Sequence, residues 1–472
     1  MQPTPSASLS MLQRFGGFFR LGFLALLALV LLVPVTMVQS MVNEREMRSK
    51  SVIKEVSEKW GQEQTMGAIR LDVPCTTVEK DTSGREYAVT VWMHAWPEVL
   101  NVNGKLESEV RKRGIFRVPL YLAGLDVAGE FKLPDPAALG LKGAVPRWEE
   151  AQINLDGGDI QALARTPVLE VGGKTIELVP TGASHPRSSD DETMRNGGAY
   201  ETDRTTRMPA IRLAGPVPQV AARPGQSLPF RLQLSLRGQG SLSILPLARS
   251  TNVSLSSDWA SPSFEGRFLP ATRNLRADGF DATWSVSSLN LDVPMHWEGD
   301  RAPEAVSILG LRMLQPVDNY DCTERSLKYA FLFVVLTFLA FFLFETFLDK
   351  ILHPVQYALI GLANCLFYLL TLAISEHVGF DIAYWIAAGG TTILISGYAA
   401  SALSGWLRAA ILGAGTLGLY GFLFTLLKAE DWSLLMGACG LFLILGFTMW
   451  ITRKVDWSRS RPAPLIAGPQ ED

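Results

Sequence analysis

The 472-residue chain is poor in charge, since Asp, Glu, Lys and Arg make up 19% of it while hydrophobic residues make up 48%. A soluble protein is normally about a quarter charged, so this shortage indicates that part of the chain lies in lipid. The formal net charge is only −3, and no long basic tract is present. Both features argue against nucleic acid as a partner.

Cysteine is also scarce. Four cysteines without a CxxC pair exclude a disulfide scaffold and give no zinc or redox signature. No HxH or HExxH motif occurs, so we expect no metal site and no cofactor. Trp92, His94 and Trp96 alternate on one strand face, where a lone histidine among aromatic residues is better explained as a hydrogen-bonded packing residue than as a metal ligand.

Two short motifs match enzyme signatures literally. GAGTLG at 413–418 has the spacing of a dinucleotide fingerprint, but it lies inside an apolar run, where small residues let helices approach closely. SVIK at 51–54 matches the SxxK of penicillin-interacting serine enzymes, yet no SDN follows it. A solvated helix face explains SVIK better.

Long apolar runs are the dominant positive feature. The first follows Arg20, is long enough to cross about 30 Å of hydrocarbon and has no obvious cleavage site. It predicts a cytoplasmic N-terminus at 1–18 and an uncleaved anchor at 19–40. Residues 326–452 predict five further spans, at about 327–348, 355–375, 380–401, 407–427 and 432–452.

The loop charges predict the orientation of these six spans. Lys350, Arg408 and the tail at 453–472 fall on one side, whereas the turns carrying Glu376 and Glu430 fall on the other. The positive-inside rule therefore places both termini in the cytoplasm and the 41–325 segment outside, in the periplasm.

The 41–325 segment predicts β structure. After a short helix in SVIKEVSEKW, stretches such as EYAVTVWMHAW, GIFRVPLYLAGLDVAGEF and SLPFRLQLSLRGQGSLSILPLA alternate apolar and polar residues between turn formers. Alternation implies that each strand has one solvent-exposed face and one buried face, so antiparallel sheets packed as a sandwich are expected. The polar stretch at 184–206 predicts a long exposed loop. The fold class is thus a membrane helical bundle with a large inserted, mainly-β domain.

Charged residues near the spans are candidates for function. Glu345 lies near the inner end of the second span, where it is either functional or close enough to the interface to reach water. Asn364, in the third span, is a candidate for hydrogen bonding between helices. Glu376 and His377 form either a proton-handling pair or a polar turn at the membrane surface, with Gly379 favouring the reversal. We favour the turn.

Cys75 and Cys322 are the cysteines outside the predicted spans, near the two ends of the β-rich segment. An oxidising periplasm would permit a disulfide between them. Bridging also requires Cα atoms within about 7 Å, which the sequence does not establish. Both a Cys75–Cys322 disulfide and two free thiols are therefore compatible with the sequence.

The apolar spans and the polar residues between them resemble the CreD family of bacterial inner-membrane proteins. The resemblance rests on PVDNYDCTERSLKYAFLFVVLTF, LHPVQYALIGLANCLFYLL, SEHVGFDIAYWIAA and EDWSLLMGACGLFLILGFTMWITRKVDW, and more loosely on RGIFRVPLY in the outer segment. HPVQY adds His353 and Gln356 to the candidate polar residues. The resemblance implies a protein of the Gram-negative envelope under two-component control, with effects on colicin tolerance and β-lactam response. It implies no reaction and supplies no catalytic residue.

The sequence therefore predicts a non-enzymatic protein that supports envelope integrity. Its expected partners are the lipid bilayer and an unidentified envelope protein or glycan, bound through the periplasmic domain. A membrane enzyme or transporter acting on an envelope precursor is the alternative, using Glu345 or Glu376 and His377. The near absence of ionisable residues at mid-span favours binding over transport. The sequence does not set the oligomeric state.

Overall fold

The computed structural model describes residues 16–81, 83–158, 160–181, 211–218, 223–291, 293–299, 307–314, 319–348, 352–402, 405–429 and 432–453. The predicted 184–206 loop and nearly all of the predicted N- and C-terminal cytoplasmic segments lie outside these ranges. The chain folds into two compact units. One takes residues from both ends of the chain, up to Arg48 and from Val317, and the other comprises Ser49–Pro316.

Eight α-helices are described. They are α1 Gly16–Val30, α2 Leu32–Trp60, α3 Asn319–Lys328, α4 Ala330–Leu348, α5 Pro354–Val378, α6 Phe380–Ala402, α7 Trp406–Lys428 and α8 Ser433–Thr452. Five helical stretches in the described ranges are long and apolar enough to cross a membrane. The pair α3 and α4, bent by 50°, makes a sixth if it is counted as one span. An apolar helical part whose sequence is interrupted by an inserted β unit is therefore confirmed. The count of six spans stays a prediction.

Helix α2 is longer than the sequence predicted. Its polar half, NEREMRSKSVIKEVSEKW, consists mainly of helix formers and carries an i,i+4 pair, Glu55 with Lys59 at 3.0 Å. The helix ends at Trp60. The next residue, Gly61, has a φ of 147° and approaches the Arg237 carbonyl so closely that a Cβ would not fit. The β unit therefore begins with a helical segment, and the predicted boundaries at 41 and 325 lie somewhat outside the 49–316 unit.

The 49–316 unit contains two sheets. Among the described residues the first has ten strands: β1 Gln64–Lys80, β2 Glu86–Ala95, β5 Val145–Pro146, β6 Gln152–Gly157, β9 Val179–Thr181, β10 Ile211–Pro216, β12 Ser241–Ile244, β14 Pro262–Gly266, β17 His296–Glu298 and β18 Leu309–Met313. The second has eight: β3 Val99–Arg113, β4 Phe116–Lys132, β7 Val168–Val171, β8 Lys174–Ile176, β11 Ser227–Gln239, β13 Ser250–Ser257, β15 Thr272–Arg276 and β16 Gly279–Ser287.

The sequence stretches predicted as strands are strands in the structure, but the expectation of purely antiparallel sheets is wrong. β1 pairs with β12 in parallel, and β3 pairs with β13 in parallel. Both pairings join strands more than a hundred residues apart. Hairpin-like spacing along the chain reveals only pairings between neighbouring strands, so these two could not be read from it.

The inner faces of the two sheets share one apolar core. Phe264 of β14 meets Phe280 and Trp284 of β16 at ring-centroid distances of 5.9 and 5.7 Å. Across the same core, the Tyr121 hydroxyl of β4 donates to the Ser241 carbonyl of β12 at 2.7 Å. The sandwich-like packing predicted from alternation is therefore confirmed.

Candidate functional site

A polar groove crosses the outer face of the eight-stranded sheet, with a volume of about 710 Å³. It exists because strand registry aligns small and polar outward side chains across β13, β3, β4 and β11. Two adjacent rows result, Ser256, Lys105, Gly124 and Ser235 in one, and Ser254, Asn103, Asp126 and Gln233 in the other. A Cβ placed at Gly124 would have no heavy atom within 4 Å. The groove is therefore deeper at Gly124, because this residue has no side chain to fill the space.

Ion pairs fix part of this groove. Arg231 donates to both carboxylate oxygens of Asp126, at 2.9 and 2.6 Å, and its hydrogen bond lowers the pKa of that carboxyl. Lys105 contacts Glu107 at 3.1 Å. Arg165 is exposed and has no ion-pair partner among the described residues. The groove thus offers an oriented acceptor, several hydroxyl and amide groups, and an exposed cation.

A second polar cluster is buried on the ten-stranded sheet. Arg70 donates to both oxygens of Asp72 at 2.6 and 3.0 Å, Asn154 donates to Asp72 at 2.7 Å, and His94 Nδ1 lies 2.6 Å from Asp72. Burial by itself would raise the pKa of Asp72, but the bonds from His94 and Arg70 outweigh burial and lower it. The cluster is a buried ion-pair network, to which Asp156 adds a longer contact with Arg70 at 3.6 Å.

His94 is held in this network by an aromatic residue as well. Its ring stacks on Trp297 with centroids 5.0 Å apart, and Trp297 also contacts Trp96 at 4.7 Å. The sequence interpretation of His94 as a hydrogen-bonded packing residue agrees with this geometry. Its partner Asp72 was missed, because the two residues are 22 positions apart and meet only through β1–β2 registry. Within the described ranges, no group of three or more His, Cys, Asp or Glu residues is arranged to hold a metal ion.

In the membrane helices, Glu345 is buried and accepts a hydrogen bond from the Tyr357 hydroxyl at 2.8 Å. It therefore lies inside the helix packing rather than reaching outward. His353 and Gln356 form a reciprocal cap at the start of α5. The Val355 N–H donates to His353 Nδ1 at 3.3 Å, and the His353 N–H donates to the Gln356 side chain at 2.9 Å. Their geometry gives both residues a structural role.

Glu376 and His377 do not act as a pair in the structure. The Glu376 carboxylate accepts from the Tyr320 hydroxyl at 3.3 Å and lies 3.7 Å from Arg45, whereas His377 is exposed.

Asn319 joins the two sides of the adjoining corner between α5 and α6. Its amide donates to the Ser375 carbonyl at 2.8 Å and accepts from the Phe380 N–H at 3.1 Å. The predicted turn is present, with Gly379 at φ 86°.

The inward face of α5 carries a stripe of mainly polar residues, of which the sequence analysis named only Asn364. At three- and four-residue spacing it presents Tyr357, Gly361, Asn364, Tyr368, Thr371 and Ser375, all of them buried. The Tyr420 hydroxyl donates to Asn364 Oδ1 at 3.2 Å, as expected for interhelical hydrogen bonding. The spacing was a signal that could have been found, but single hydroxyls within apolar runs look like ordinary packing.

This polar stripe is interrupted. A Cβ built at Gly361 would lie 2.2 Å from Leu31 Cδ1 and 2.9 Å from Phe338, so apolar side chains fill the space between Tyr357 and Asn364. In this structure the stripe therefore does not form a continuous polar path along α5.

The cysteines are free thiols in the structure. Cys75 lies in the sandwich core with no exposed surface, and burial raises the pKa of its thiol. Cys322 is half-buried and belongs to the other unit. The Cys75–Cys322 disulfide stays a prediction, which thiol labelling of the denatured protein with and without reductant would test.

The comparisons with known proteins match nearly the whole chain. Residues 17–458 match the family model described as inner membrane protein CreD. The chain belongs to the CreD family. It is 31% identical over 436 residues to the inner membrane protein CreD of Escherichia coli K12, covering 91% of each chain. The family membership predicted from HPVQY, SEHVGFD and EDW is therefore confirmed, and the protein is an inner-membrane protein.

Solved structures add nothing to this assignment. The similarity to an M1 zinc metallopeptidase of Deinococcus radiodurans has a TM-score of 0.22 at 10% identity, covering 45% of this chain and 41% of that one. A mutant of the same enzyme gives the same TM-score and identity, covering 79% of this chain and 96% of that one. A likeness this low carries no argument about fold or activity.

The stretch SEHVGFD of this CreD family member allows a sharp test of the turn interpretation. We expect a Glu376→Gln, His377→Asn protein to insert at normal abundance, because glutamine can still accept from Tyr320 and His377 is exposed. If the protein has the effect on envelope resistance that the CreD resemblance implies, the double variant should keep most of it. Gly379→Val should lower abundance, since a β-branched residue is strained at a φ of 86°. Complementation of a deletion strain with immunoblotting measures both. Loss of function by the double variant at normal abundance would favour proton chemistry instead.

Proposed function

We propose that this CreD family member is a non-enzymatic protein that supports envelope integrity by binding an envelope component through its β unit on the periplasmic side. The polar groove across β13, β3, β4 and β11 carries this proposal, because it is a large, open concavity lined by hydrogen-bonding side chains. Colicin tolerance and β-lactam response are the phenotypes in which its action is expected to appear.

The alternative is a membrane enzyme or transporter that acts on an envelope precursor. Its candidate residues do not form a catalytic or proton-handling pair: Glu345 is bonded to Tyr357, and Glu376 accepts from Tyr320 while His377 is exposed. Transporters also need a polar route at mid-membrane. Leu31 and Phe338 fill the space beside Gly361 and interrupt the polar stripe of α5, which favours the binding function.

The proposed placement predicts a specific topology. Reporter fusions after residue 200 and in the 428–431 loop should be periplasmic, and fusions near residues 350, 408 and 460 should be cytoplasmic, because the basic residues lie on the latter side. Paired alkaline phosphatase and fluorescent-protein fusions measure this. A cytoplasmic readout at residue 200 would contradict the placement of the β unit. The binding part is tested separately by filling the groove at Gly124, which should abolish the effect on envelope resistance.

A further inference from the structure

We propose that the groove binds a sugar polymer that carries N-acetyl groups and carboxylates, that is, a cell-wall glycan strand. The inference rests on the proposed function and names its ligand. It follows from the hydrogen-bonding side chains of the lining, from the absence of aromatic side chains among its described residues, and from the exposed cation Arg165.

The lining is matched to hydroxyl and acetamido groups. Asn103 and Gln233 each present an amide that donates and accepts, and Ser235, Ser254 and Ser256 present hydroxyls that do the same. Asp126 adds an acceptor whose orientation is fixed by the two bonds from Arg231. Sugars present closely spaced groups that also donate and accept. Each side chain of this mixed lining can therefore act as the donor or as the acceptor that a given sugar group requires.

The lining lacks the anchors of a protein interface. Among the described residues that form it, no side chain is aromatic, and the side chains of Leu125 and Leu234 are buried in the core. Val168, at 40% exposure, is the outward apolar side chain at its edge. Protein interfaces depend on buried aromatic or aliphatic anchors at their centre. The centre here is Gly124 flanked by polar groups, which favours a hydrated polymer over a folded protein.

Charge distinguishes the glycan further. Arg165 is exposed without an ion-pair partner in the described part of the chain, while Lys105 pairs with Glu107, which is itself exposed. Both cations line the same groove. Arg165, together with Lys105 if a ligand carboxylate competes with Glu107, suits a ligand with carboxylates along its length, whereas a neutral glucan would leave both cations without a ligand partner.

The dimensions fit a polymer. The two rows run across four strands, and at a spacing of about 4.8 Å the groove is about 14 Å long between its outer strands. Because the groove is open to solvent rather than enclosed, it can hold part of a ligand that is longer than the groove itself. A closed pocket would have indicated a single small sugar.

Full-length protein in lipid nanodiscs is the material for the test, and calorimetry is the readout. The probe is a preparation of glycan strands released from purified cell wall by an amidase, which removes the stem peptides and leaves the sugar chain with its carboxylates. The matched probe is dextran of similar length. We expect saturable binding of wall fragments and at least about tenfold weaker binding of dextran. Gly124→Phe should weaken fragment binding about tenfold or more, whereas Ser285→Phe, exposed on the same sheet face outside the groove, should not.

The charge contribution has its own pair of variants. Arg165→Gln should weaken binding of wall fragments several-fold, and Lys174→Gln, an exposed cation outside the lining, should leave it unchanged. An Asn103→Ala, Gln233→Ala double variant replaces Gly124→Phe if the bulky residue lowers the yield of folded protein.

Three results would overturn the glycan assignment: no binding of wall fragments, equal binding of dextran, or full binding by the groove variants. If wall fragments fail to bind while the filled-groove protein still loses its effect on envelope resistance, the groove functions with another partner. If the filled-groove protein keeps that effect, the proposed function itself fails.

Discussion

Replacing Asp72 with asparagine should destabilise the β unit by about 3–5 kcal/mol, because it removes one member of a buried ion-pair network. Arg70 is buried at 5% exposure, and Asp72 supplies its two closest acceptor contacts. Asparagine keeps the shape but turns an amide group towards the donors of Arg70 and Asn154. The remaining contact, Arg70 with Asp156 at 3.6 Å, is longer and does not replace the lost pair.

Pulse proteolysis of the full-length protein in urea measures this loss as a shift of the unfolding midpoint. Asp281→Asn is the matched control, since Asp281 pairs with Arg276 on the surface and both side chains are about half exposed. We expect a far smaller shift for it, because exposed ion pairs contribute little to stability. Equal shifts for the two variants would contradict the structural role of the Asp72 network.

The same network predicts a pH dependence. Folding lowers the pKa of Asp72 below its ordinary value of 3.8, so the unfolded chain takes up this proton more readily than the folded protein. Its contribution to stability is therefore complete above about pH 5 and is lost as the pH falls towards and below the ordinary value. The urea midpoint of Asp72→Asn should approach that of the natural protein in acid. A constant difference from pH 7 to the acid limit would contradict this.

Filling the groove should remove function without removing the protein. Gly124→Phe places a ring in space that is empty within 4 Å, and no positive φ is recorded there, so the strand should accept the side chain. We expect the variant to reach normal abundance and to lose nearly all of its ability to restore envelope resistance in a deletion strain.

Ser285→Phe controls for an added aromatic residue on the same sheet face. Ser285 is exposed on β16 and donates to Asn252, outside the groove lining. This variant should restore resistance as well as the natural protein does. If Gly124→Phe also restores resistance, or if both variants fail equally, the groove is not the functional surface.

The sequence predicted local structure well because local structure has a period. Alternation along β2, β4, β11 and β13 located strands, and long apolar runs located α5 to α8. It predicted the end of the first membrane helix poorly, because nothing in NEREMRSK interrupts helix formation after the apolar residues end. The break at Tyr329, where α3 and α4 meet at 50°, likewise has no Gly or Pro to mark it.

Both polar sites depend on strand registry rather than on motifs. The groove joins Lys105, Asp126, Arg165, Gln233 and Ser254 from five separate stretches. Each of them, taken alone, looks like an ordinary polar residue on the solvent-exposed face of a strand or in a loop. Asp72 and His94 meet because β1 and β2 pair in one register, and a shift by one residue would place them on opposite faces. Such sites become visible only when the strand pairing is known.

In-cell photocrosslinking from the groove tests the central claim most directly. A photoreactive amino acid at Gln233, inside the groove, should yield an adduct of high mass that muramidase digests, whereas the same group at Ser285 should yield little. Such a result would show the groove in contact with the cell wall in living cells. Equal yields from the two positions, or no adduct from Gln233, would contradict the claim that this groove binds an envelope component.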